Sequence, residues 1–135
     1  MAADSRETDT HEALDHCFVT SDKSVKIFRL PDGRVYGGAD ASEDIQRLYL
    51  SLLKKGSSPA LSHITAMLMY PSGKVELYEG NIWVKVHEPF YAIGTGAAFA
   101  MAAMKAGASA RKAVKIATEM DPYSGGKVLA LQARK

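Results

Sequence analysis

The sequence lacks several features that would narrow its class at once. It has one cysteine, Cys17, so an internal disulfide is excluded, and it has no cysteine-based metal spacing. No apolar run approaches the ~20 residues of a membrane-spanning helix. The first residues, MAADSRETDTHE, are polar and acidic, unlike a signal peptide. These absences predict a reduced, cytoplasmic protein that does not cross a membrane.

The sequence also lacks a charge excess of either sign. Its 17 basic and 15 acidic residues give a net charge of +2, and the basic residues are scattered. This balance does not favour nucleic acid or an anionic membrane as a partner. His11 and His16 are close in sequence, while His63 and His87 stand apart, so no metal site is predicted. No cofactor is predicted either.

The residues that are present suit one globular domain. The 135 residues are 47% hydrophobic and 24% charged, and they show neither an internal repeat nor a linker. We therefore expect a single domain over residues 1–135.

The first part of the chain is predicted to be rich in strands. Residues 2–15 show no clear period, but CFVTSD, SVKIFRL and RVYGG have the apolar or alternating pattern of strands. The turn sequence PDG at 31–33 predicts a hairpin between the last two.

A helix is predicted to begin at Asp40. The sequence DASE has the form of a capping box, with Asp40 as N-cap and Glu43 as its partner. Apolar residues then recur at helical spacing, among them Ile45, Leu48 and Leu52, so one face should pack on a core.

The next segments predict antiparallel sheet. HITAMLMY is a nearly continuous apolar run, KVELYEG and NIWVKVHEP alternate, and turns separate them. A further short apolar strand is predicted to end at Gly94.

Two helices and a strand are predicted for the last third. The first helix starts at Thr95 and Gly96 and contains almost only alanine, methionine and phenylalanine, so it should be covered on most sides. The second, 110–119, is predicted to be capped by Ser109 and to bury a face that includes Met120. KVLALQ is the final predicted strand.

The order of elements favours an α+β class. Strands and helices are segregated along the chain, which favours sheet-on-sheet packing with outer helices over a doubly wound parallel fold.

The polar residues near the start have ordinary local explanations. Lys26 in SVKIFRL is typical of a strand lysine that faces water. If it points inward, its ammonium needs a carboxylate partner and becomes a candidate electrostatic group. Asp4 in AADSR is either a turn aspartate or that partner, and Arg6 is most simply a surface arginine.

The polar residues of the last third also have ordinary explanations. GTG at 94–96 is too short for a phosphate loop and indicates tight strand-to-helix packing. Asp121 followed by Pro122 is consistent with a helix stop, and Ser124 with its two glycines is consistent with a turn.

Taken together, these segments resemble a known family. The chain resembles the proteasome β-subunit and HslV-type N-terminal-nucleophile hydrolases, including small proteasome-like proteins of bacteria and phages. The segments that carry the resemblance occur in the family's order: AADSR, then KIFRL with the following DG, V and G, then YAIGTGAAFAMAAMKAG, then DPYSGG. The resemblance runs from residue 2 to about residue 132. It implies a four-layer αββα sandwich of two antiparallel sheets. It also implies a homo-oligomeric ring that encloses a proteolytic chamber, peptide or unfolded protein as substrate, and an ATP-dependent unfoldase as a possible partner.

The resemblance also implies roles for the polar residues. The family's nucleophile is an N-terminal threonine whose own α-amino group acts as base. Lys26 matches the lysine that assists electrostatically, and Asp4 matches the aspartate that holds it. Asp121 and Ser124 match the residues that hold the amino end of the threonine.

Further matches concern supporting contacts. Arg6 matches an arginine of the same network, and Thr95 matches a serine of the family's GSG motif. Thr8 falls where a backbone edge pairs with the substrate. The family's oxyanion donor is a backbone N–H in the segment YGGADAS, where the amides from Gly38 to Asp40 are the candidates.

One departure from the family affects the reaction. The family's threonine opens a strand that leads into AADSR, whereas here Met1 stands at the last step of that strand. Thr8, Thr10 and Thr20 lie inside the chain and have no free α-amine. The sequence as it stands is therefore expected to be inactive as a peptidase. A chain extended by the strand is expected to be more stable.

Three functional hypotheses follow. The first is a proteasome-like threonine endopeptidase subunit, and whether the chain itself is an enzyme stays open. The second is a non-catalytic ring or scaffold subunit of the same fold. The third is an unrelated α+β binding domain, which a structure with one sheet rather than two would favour.

Overall fold

The computed structural model describes residues 1–11 and 16–135. Over these residues the chain forms strands β1 (Ala2–Ala3), β2 (Glu7–His11), β3 (His16–Ser21), β4 (Ile27–Arg29) and β5 (Val35–Asp40), helix α1 (Ser42–Leu53), strands β6 (Ile64–Met69), β7 (Val75–Glu79) and β8 (Ile82–Lys85), helices α2 (Ala97–Lys105) and α3 (Ala110–Met120), and strand β9 (Leu129–Ala130).

The largest sheet has five strands in the order β4-β5-β6-β7-β8, and every neighbouring pair is antiparallel. Tyr36 lies opposite Phe28 on one side and Leu68 on the other, which fixes the register of the first three strands. The predicted hairpins of this region are therefore confirmed. Each of these strands follows its neighbour along the chain, so short turns are enough to connect most of them.

Helix α1 covers one face of this sheet. Tyr36, Leu48 and Leu68 are almost fully buried between helix and sheet, and the Tyr36 hydroxyl donates a 3.0 Å hydrogen bond to the Ile45 carbonyl. Burial of each large side chain contributes about 1.5–3 kcal/mol, so this layer accounts for much of the core. The helical spacing of apolar residues in α1 predicted this contact correctly.

The start of α1 differs from the prediction. Ala41 occupies the N-cap position and makes no side-chain hydrogen bond there. Asp40 instead ends β5 in the left-handed region, with φ of 77°, and its carboxylate accepts a 2.8 Å hydrogen bond from Thr65. The capping pattern failed because the β5–β6 ladder continues to the pair Asp40 and Ile64, which makes Asp40 part of the sheet.

A second layer stands beyond the other face of the large sheet. Strand β1 pairs with β9, with Ala2 opposite Ala130, and α3 packs on both strands. Helix α2 packs along α3, and Ser109 caps α3 by accepting a hydrogen bond from the Lys112 amide, as predicted. Among the described residues this second sheet has two strands, so the complete four-layer sandwich stays a prediction.

Several predicted elements are shorter or differently placed. Residues 90–94 form no strand, and the last strand is limited to Leu129–Ala130. Strand β2, which was not predicted because ETDTH is polar, forms by pairing with β3. Met120 is 60% exposed rather than buried, because it is the last residue of α3, where Asp121 turns into extended backbone.

Helix α2 is less covered than its composition predicted. Only Ala100 is buried, and Phe99 is exposed, because α3 is the one helix that packs along α2 in the described chain. The apolar composition of α2 therefore exceeds what this chain alone buries.

None of the helices in the described ranges is long and apolar enough to span a membrane.

Candidate functional site

A large cleft lies between the two layers. Its volume is about 1130 Å³. One wall is the uncovered face of the five-stranded sheet, with Gly37, Met67 and Met69, and the other wall includes Ala2 and Ala3 of β1. Every residue that the resemblance selects lines this cleft or bonds to a residue that does, as the following contacts show.

Asp4 and Lys26 form an ion pair inside the cleft. The Lys26 Nζ atom lies 2.8 Å from Asp4 Oδ1, and the two side chains are only 21% and 13% exposed. The second oxygen of Asp4 accepts a 2.8 Å hydrogen bond from the Gly125 amide. Lys26 is therefore not a solvent-facing strand lysine. Its carboxylate partner also ties it to the loop that follows α3.

Asp121 holds three hydrogen-bond donors at the C-terminal end of α3. Its Oδ2 atom accepts from the Ser124 and Thr95 hydroxyls, each at 2.6 Å, and its Oδ1 atom accepts from the Tyr123 amide at 3.2 Å. Burial raises the pKa of Asp121, but these hydrogen bonds and the nearby charge of Lys26 outweigh it and leave the pKa below its usual value. The side chain is therefore an ordered, buried carboxylate anion.

A glycine lets α2 approach this carboxylate. A Cβ atom on Gly96 would lie 2.8 Å from Ser124 Oγ and 3.4 Å from Asp121 Oδ2. Such a distance from Ser124 is shorter than real Cβ contacts allow, so only glycine fits here without displacement. The GTG sequence thus has a packing reason, as its local pattern indicated.

Ser5 joins three segments beneath the cleft. Its amide donates to the Gly125 carbonyl, its carbonyl accepts from the Ser24 amide, and its hydroxyl donates to the Asp22 carbonyl and accepts from the Lys127 amide, all between 2.6 and 3.1 Å. Ser5 is buried and holds the loop of Asp121 against the segment of Asp4. These bonds set the distance between the two halves of the site.

Arg6 supports the same loop from outside. Its guanidinium forms a 2.8 Å ion pair with Asp22 and donates to the Pro122 carbonyl at 3.3 Å. It also lies against Gly125, where an added Cβ would be 2.4 Å from the guanidinium carbon. Arg6 is thus a structural partner of the loop, and no longer just a surface arginine.

Glu7 marks one end of the cleft. Its two carboxylate oxygens accept hydrogen bonds from Ser24 at 2.5 Å and from Ser42 at 2.6 Å. These bonds, aided by the charge of Lys26 and opposed by burial, hold the pKa of Glu7 below its usual value. The carboxylate is therefore charged and fixed in orientation.

Two backbone positions that were predicted to contact a substrate already take part in other hydrogen bonds. Thr8 lines the cleft and pairs with Val19 of β3, which uses one edge of β2. The Gly38 amide donates a 3.0 Å hydrogen bond to the Lys26 carbonyl, so in this structure it is not directed at a ligand.

Two cations act on the carboxylates of the site. The charge of Lys26 acts on both Asp4 and Asp121, and the guanidinium of Arg6, which pairs with Asp22, also interacts with Asp4. No group of metal-ligating side chains occurs among the residues that the structure describes.

The fold matches solved structures, although no protein-family model and no curated protein sequence matches the chain. Eukaryotic HslV from Trypanosoma brucei has a TM-score of 0.66 at 19% identity, with 94% of this chain and 88% of that chain covered. BPH from Thiobacillus denitrificans has the same TM-score of 0.66 at 19% identity, with 95% of this chain and 88% of that chain covered. The chain has a proteasome-like fold. At this identity the likeness establishes the fold alone.

Within this proteasome-like fold, five residues selected from the sequence lie in two bonded groups. Lys26 bonds to Asp4, and Thr95 and Ser124 bond to Asp121. The backbone between Ser124 and Gly125 connects the groups, because Asp4 accepts the Gly125 amide.

Sequence reasoning missed Ser5, Asp22 and Glu7. Ser5 lies within AADSR, so the motif itself could have indicated it. Asp22 and Glu7 could not be selected from the sequence, because their contacts join segments that are far apart in the chain.

Proposed function

We propose that this chain is a subunit of a proteasome-like threonine endopeptidase, in which the cleft holds an N-terminal threonine as nucleophile. One observation carries the proposal. The Lys26–Asp4 pair and the Asp121, Ser124 and Thr95 cluster meet at a single cleft, linked through the Gly125 amide.

The charges of the cleft suit an N-terminal amine. Asp121 is a buried anion that has Ser124 and Thr95 as hydroxyl neighbours, and an α-ammonium is a cation with hydrogen-bond donors. An α-amino group has a pKa near 8, so it loses its proton easily enough to act as base for a hydroxyl on the same residue. The Lys26 ammonium would favour the developing alkoxide and lower the barrier to attack on a peptide carbonyl.

Strand β1 offers a place for the segment that carries this threonine. Within the described residues β1 pairs with β9 alone, so the other edge of Ala2–Ala3 has unpaired backbone groups and borders the cleft. A strand added at that edge would lie beside Lys26, and its first residue could reach Asp121.

Assembly into a homo-oligomeric ring is part of the proposal. Large apolar side chains are exposed on several elements, among them Leu50 and Leu53 on α1, Ile82 and Val84 on β8, and Phe99 on α2. Contact between copies would remove this surface from water. An unfoldase that supplies unfolded protein would be a further partner.

A non-catalytic ring or scaffold subunit is the second candidate. The Gly38 amide favours it, because this amide, one of the candidate oxyanion donors from Gly38 to Asp40, is already bonded to the Lys26 carbonyl. For catalysis, that hydrogen bond would have to break, or a different amide would have to donate to the oxyanion.

The decisive experiment examines the protein as its native source produces it. Its N-terminal residue and intact mass are determined, and it is then treated with a peptide epoxyketone, which closes a ring only with a hydroxyl and an amine on one residue. A threonine N-terminus, a covalent adduct on it and cleavage of unfolded casein would support the peptidase.

Controls separate the two candidates. Lys26→Met should abolish the adduct without dissociating the ring, which native mass spectrometry measures. A ring that never forms the adduct, whatever its N-terminal residue, would select the scaffold. A monomer without adduct or cleavage would contradict both.

A further inference from the structure

We propose that the cleft is an acceptor site for one strand of a separate polypeptide, which inserts between β1 and residues 90–93. The proposed function places a threonine-bearing segment at the edge of β1, and the inference is that a strand in this place need not belong to the same chain. It concerns strand pairing alone, so its test needs neither an N-terminal threonine nor an assay of cleavage.

The backbone of Ala2 is directed at the open edge of β1. Met1 and Leu131 exchange two hydrogen bonds, since the Met1 amine donates to the Leu131 carbonyl at 2.7 Å and the Leu131 amide donates to the Met1 carbonyl at 2.9 Å. Bonded and non-bonded pairs alternate in an antiparallel ladder, so the next pair, Ala2 and Ala130, directs its backbone groups outward. The N–H and C=O groups of Ala2, a residue that lines the cleft, are therefore available to a further strand.

A second unpaired edge lies at residues 90–93. Their sequence, FYAI, is rich in aromatic and β-branched residues, yet these residues line the cleft without forming a strand. Within the described ranges their backbone amides and carbonyls take part in no hydrogen bond. Backbone groups of folded chains are normally paired, so this segment lacks a partner strand rather than the propensity for one.

Both edges lead to the same loop. Asp4, which follows β1, accepts the Gly125 amide, and Thr95, which follows residues 90–94, donates to Asp121. The two segments therefore approach the loop after α3 with their C-terminal ends. A strand of the opposite direction between them would pair antiparallel with both and would extend the β1–β9 sheet to four strands.

The walls of the cleft define the side chains that fit this strand. Met67 and Met69 are two positions apart on β6, so both project from one face of the sheet and line the cleft. Methionine adapts to apolar side chains of different shapes. Helix α3, which packs on β1, contributes Ala113 and Ala117 to the lining. A strand that alternates large apolar side chains with small ones matches these two surfaces.

The terminal residues of the described chain are already bound elsewhere. The Met1 amine is bonded to Leu131, and the Arg134 amide donates a 3.1 Å hydrogen bond to the Gly33 carbonyl. Neither segment is therefore free to enter the cleft. An extended segment of a separate polypeptide supplies N–H and C=O groups along both of its edges, which is what the two unpaired edges require.

The test measures the binding of capped fluorescent peptides to the 135-residue chain by anisotropy. The probe is Lys-Leu-Thr-Val-Thr-Leu-Thr-Lys, and the control is Lys-Leu-Leu-Val-Thr-Thr-Thr-Lys, which has the same composition without alternation. We expect the probe to bind at least about tenfold more tightly than the control, because only the probe separates its large and small side chains onto two faces. Amide hydrogen exchange at residues 90–93 should slow with the probe and not with the control.

Selective N-methylation distinguishes pairing at one edge from pairing at two. Successive N–H groups of a strand point to opposite edges, so methylation of the leucines and valine blocks one edge of the probe, and methylation of the threonines blocks the other. We expect each modification to weaken binding by about tenfold, because each removes the hydrogen bonds of one edge. Loss of affinity with only one of the two modified peptides would overturn the insertion.

Proline variants assign one of the edges to β1. Ala2→Pro removes the amide that points to the open edge and keeps the bonds between Met1 and Leu131, so the probe should bind at least about fivefold more weakly. Ala130→Pro is the matched control, because the Ala130 amide points to the opposite edge of the β1–β9 pair, and binding should stay unchanged. Equal binding by the two variants would contradict insertion beside β1.

The outcomes are separate from those of the proposed function. Equal affinity for the probe and the control, or no binding of either peptide, would overturn the acceptor site. Neither result changes the N-terminal residue of the native protein or its reaction with the epoxyketone, on which the peptidase proposal depends.

Discussion

The carboxylate of Asp4 lies 2.8 Å from the ammonium of Lys26, and the two residues are 22 positions apart in the sequence. The same carboxylate accepts the amide of Gly125, which is 121 positions away from Asp4. One side chain thus joins the segment before β2, the residue that precedes strand β4 and the loop after α3.

Removal of the Lys26 ammonium should destabilise the protein. We expect Lys26→Met to lower the free energy of unfolding by about 1–3 kcal/mol, because it leaves the largely buried Asp4 carboxylate without its cation. Denaturant unfolding measures the change. Arg47→Met, which removes an exposed pair on α1, should cost less than about 0.5 kcal/mol. The double variant Asp4→Asn/Lys26→Met should cost less than the sum of the two single changes, and strict additivity would argue against a direct interaction.

Asp121 should contribute to stability in a pH-dependent way. Its pKa is lower in the folded chain than its usual value, so its contribution is present above the usual pKa and is lost as the pH falls through the folded-state value. Melting temperatures from about pH 6 to about pH 3 should therefore fall less for Asp121→Asn than for the wild type. Glu43→Gln is the control and should parallel the wild type. Parallel curves for Asp121→Asn and the wild type would show that the hydrogen bonds around Asp121 do not favour its charged form.

Gly96 should be intolerant of a methyl group. The added Cβ would lie 2.8 Å from Ser124 Oγ and 3.2 Å from Ala117 Cβ, so α2 would have to move away from α3. We expect Gly96→Ala to cost about 1–3 kcal/mol of unfolding free energy. Gly56→Ala is the matched control, because nothing lies within 4 Å of its Cβ position, and it should be neutral or slightly stabilising. Equal stability of the two variants would contradict the close approach.

The two glycines after Ser124 should differ in their tolerance. A Cβ on Gly126 would lie 2.4 Å from Ser5 Oγ, at a φ of +71° that disfavours other residues. The three atoms nearest a Cβ on Gly125 belong to the guanidinium of Arg6, which can move away at the cost of its exposed contacts with Asp22 and Pro122. We expect Gly126→Ala to cost at least about 1 kcal/mol more than Gly125→Ala. Thermal melts of the two variants test this order, and the reverse order would refute the role assigned to Ser5.

An added strand should stabilise the chain. An N-terminal extension of alternating apolar and polar residues, joined to Met1 by a tight turn, would pair with the open edge of Ala2–Ala3 and cover the apolar wall at Met67 and Met69. We expect its melting temperature to exceed that of a control of the same length in which two central residues of the extension are proline, since that control cannot complete the ladder. Equal melting temperatures would mean that this edge does not accept a strand.

Much of the fold was predictable because its patterns are local. The PDG turn, the alternation of β7 and the helical spacing of Ile45 and Leu48 each depend on neighbours in sequence. Asp40 shows where local reasoning fails, since its capping pattern competes with a ladder contact to Ile64, 24 positions later. Met120 fails in the same way, because periodicity cannot show that the helix ends before its apolar face is covered.

The candidate site was harder than the fold to predict from the sequence. Nothing local distinguishes Lys26 from a solvent-facing lysine or Asp121 from a helix stop, and only the resemblance brought them together. The structure adds what a motif cannot contain, namely that Ser5 and Gly125 hold the two groups at a fixed distance. Whether these residues act in catalysis stays a prediction.

The site joins residues that lie far apart in the sequence, and this has a consequence for synthesis in the cell. When Asp4 and Lys26 have left the ribosome, the loop of Asp121 has not yet been made, and it follows after roughly a hundred more residues. A growing polypeptide therefore carries no finished site before the loop after α3 has been made. The order of segments alone would delay any hydrolytic activity until that loop has left the ribosome.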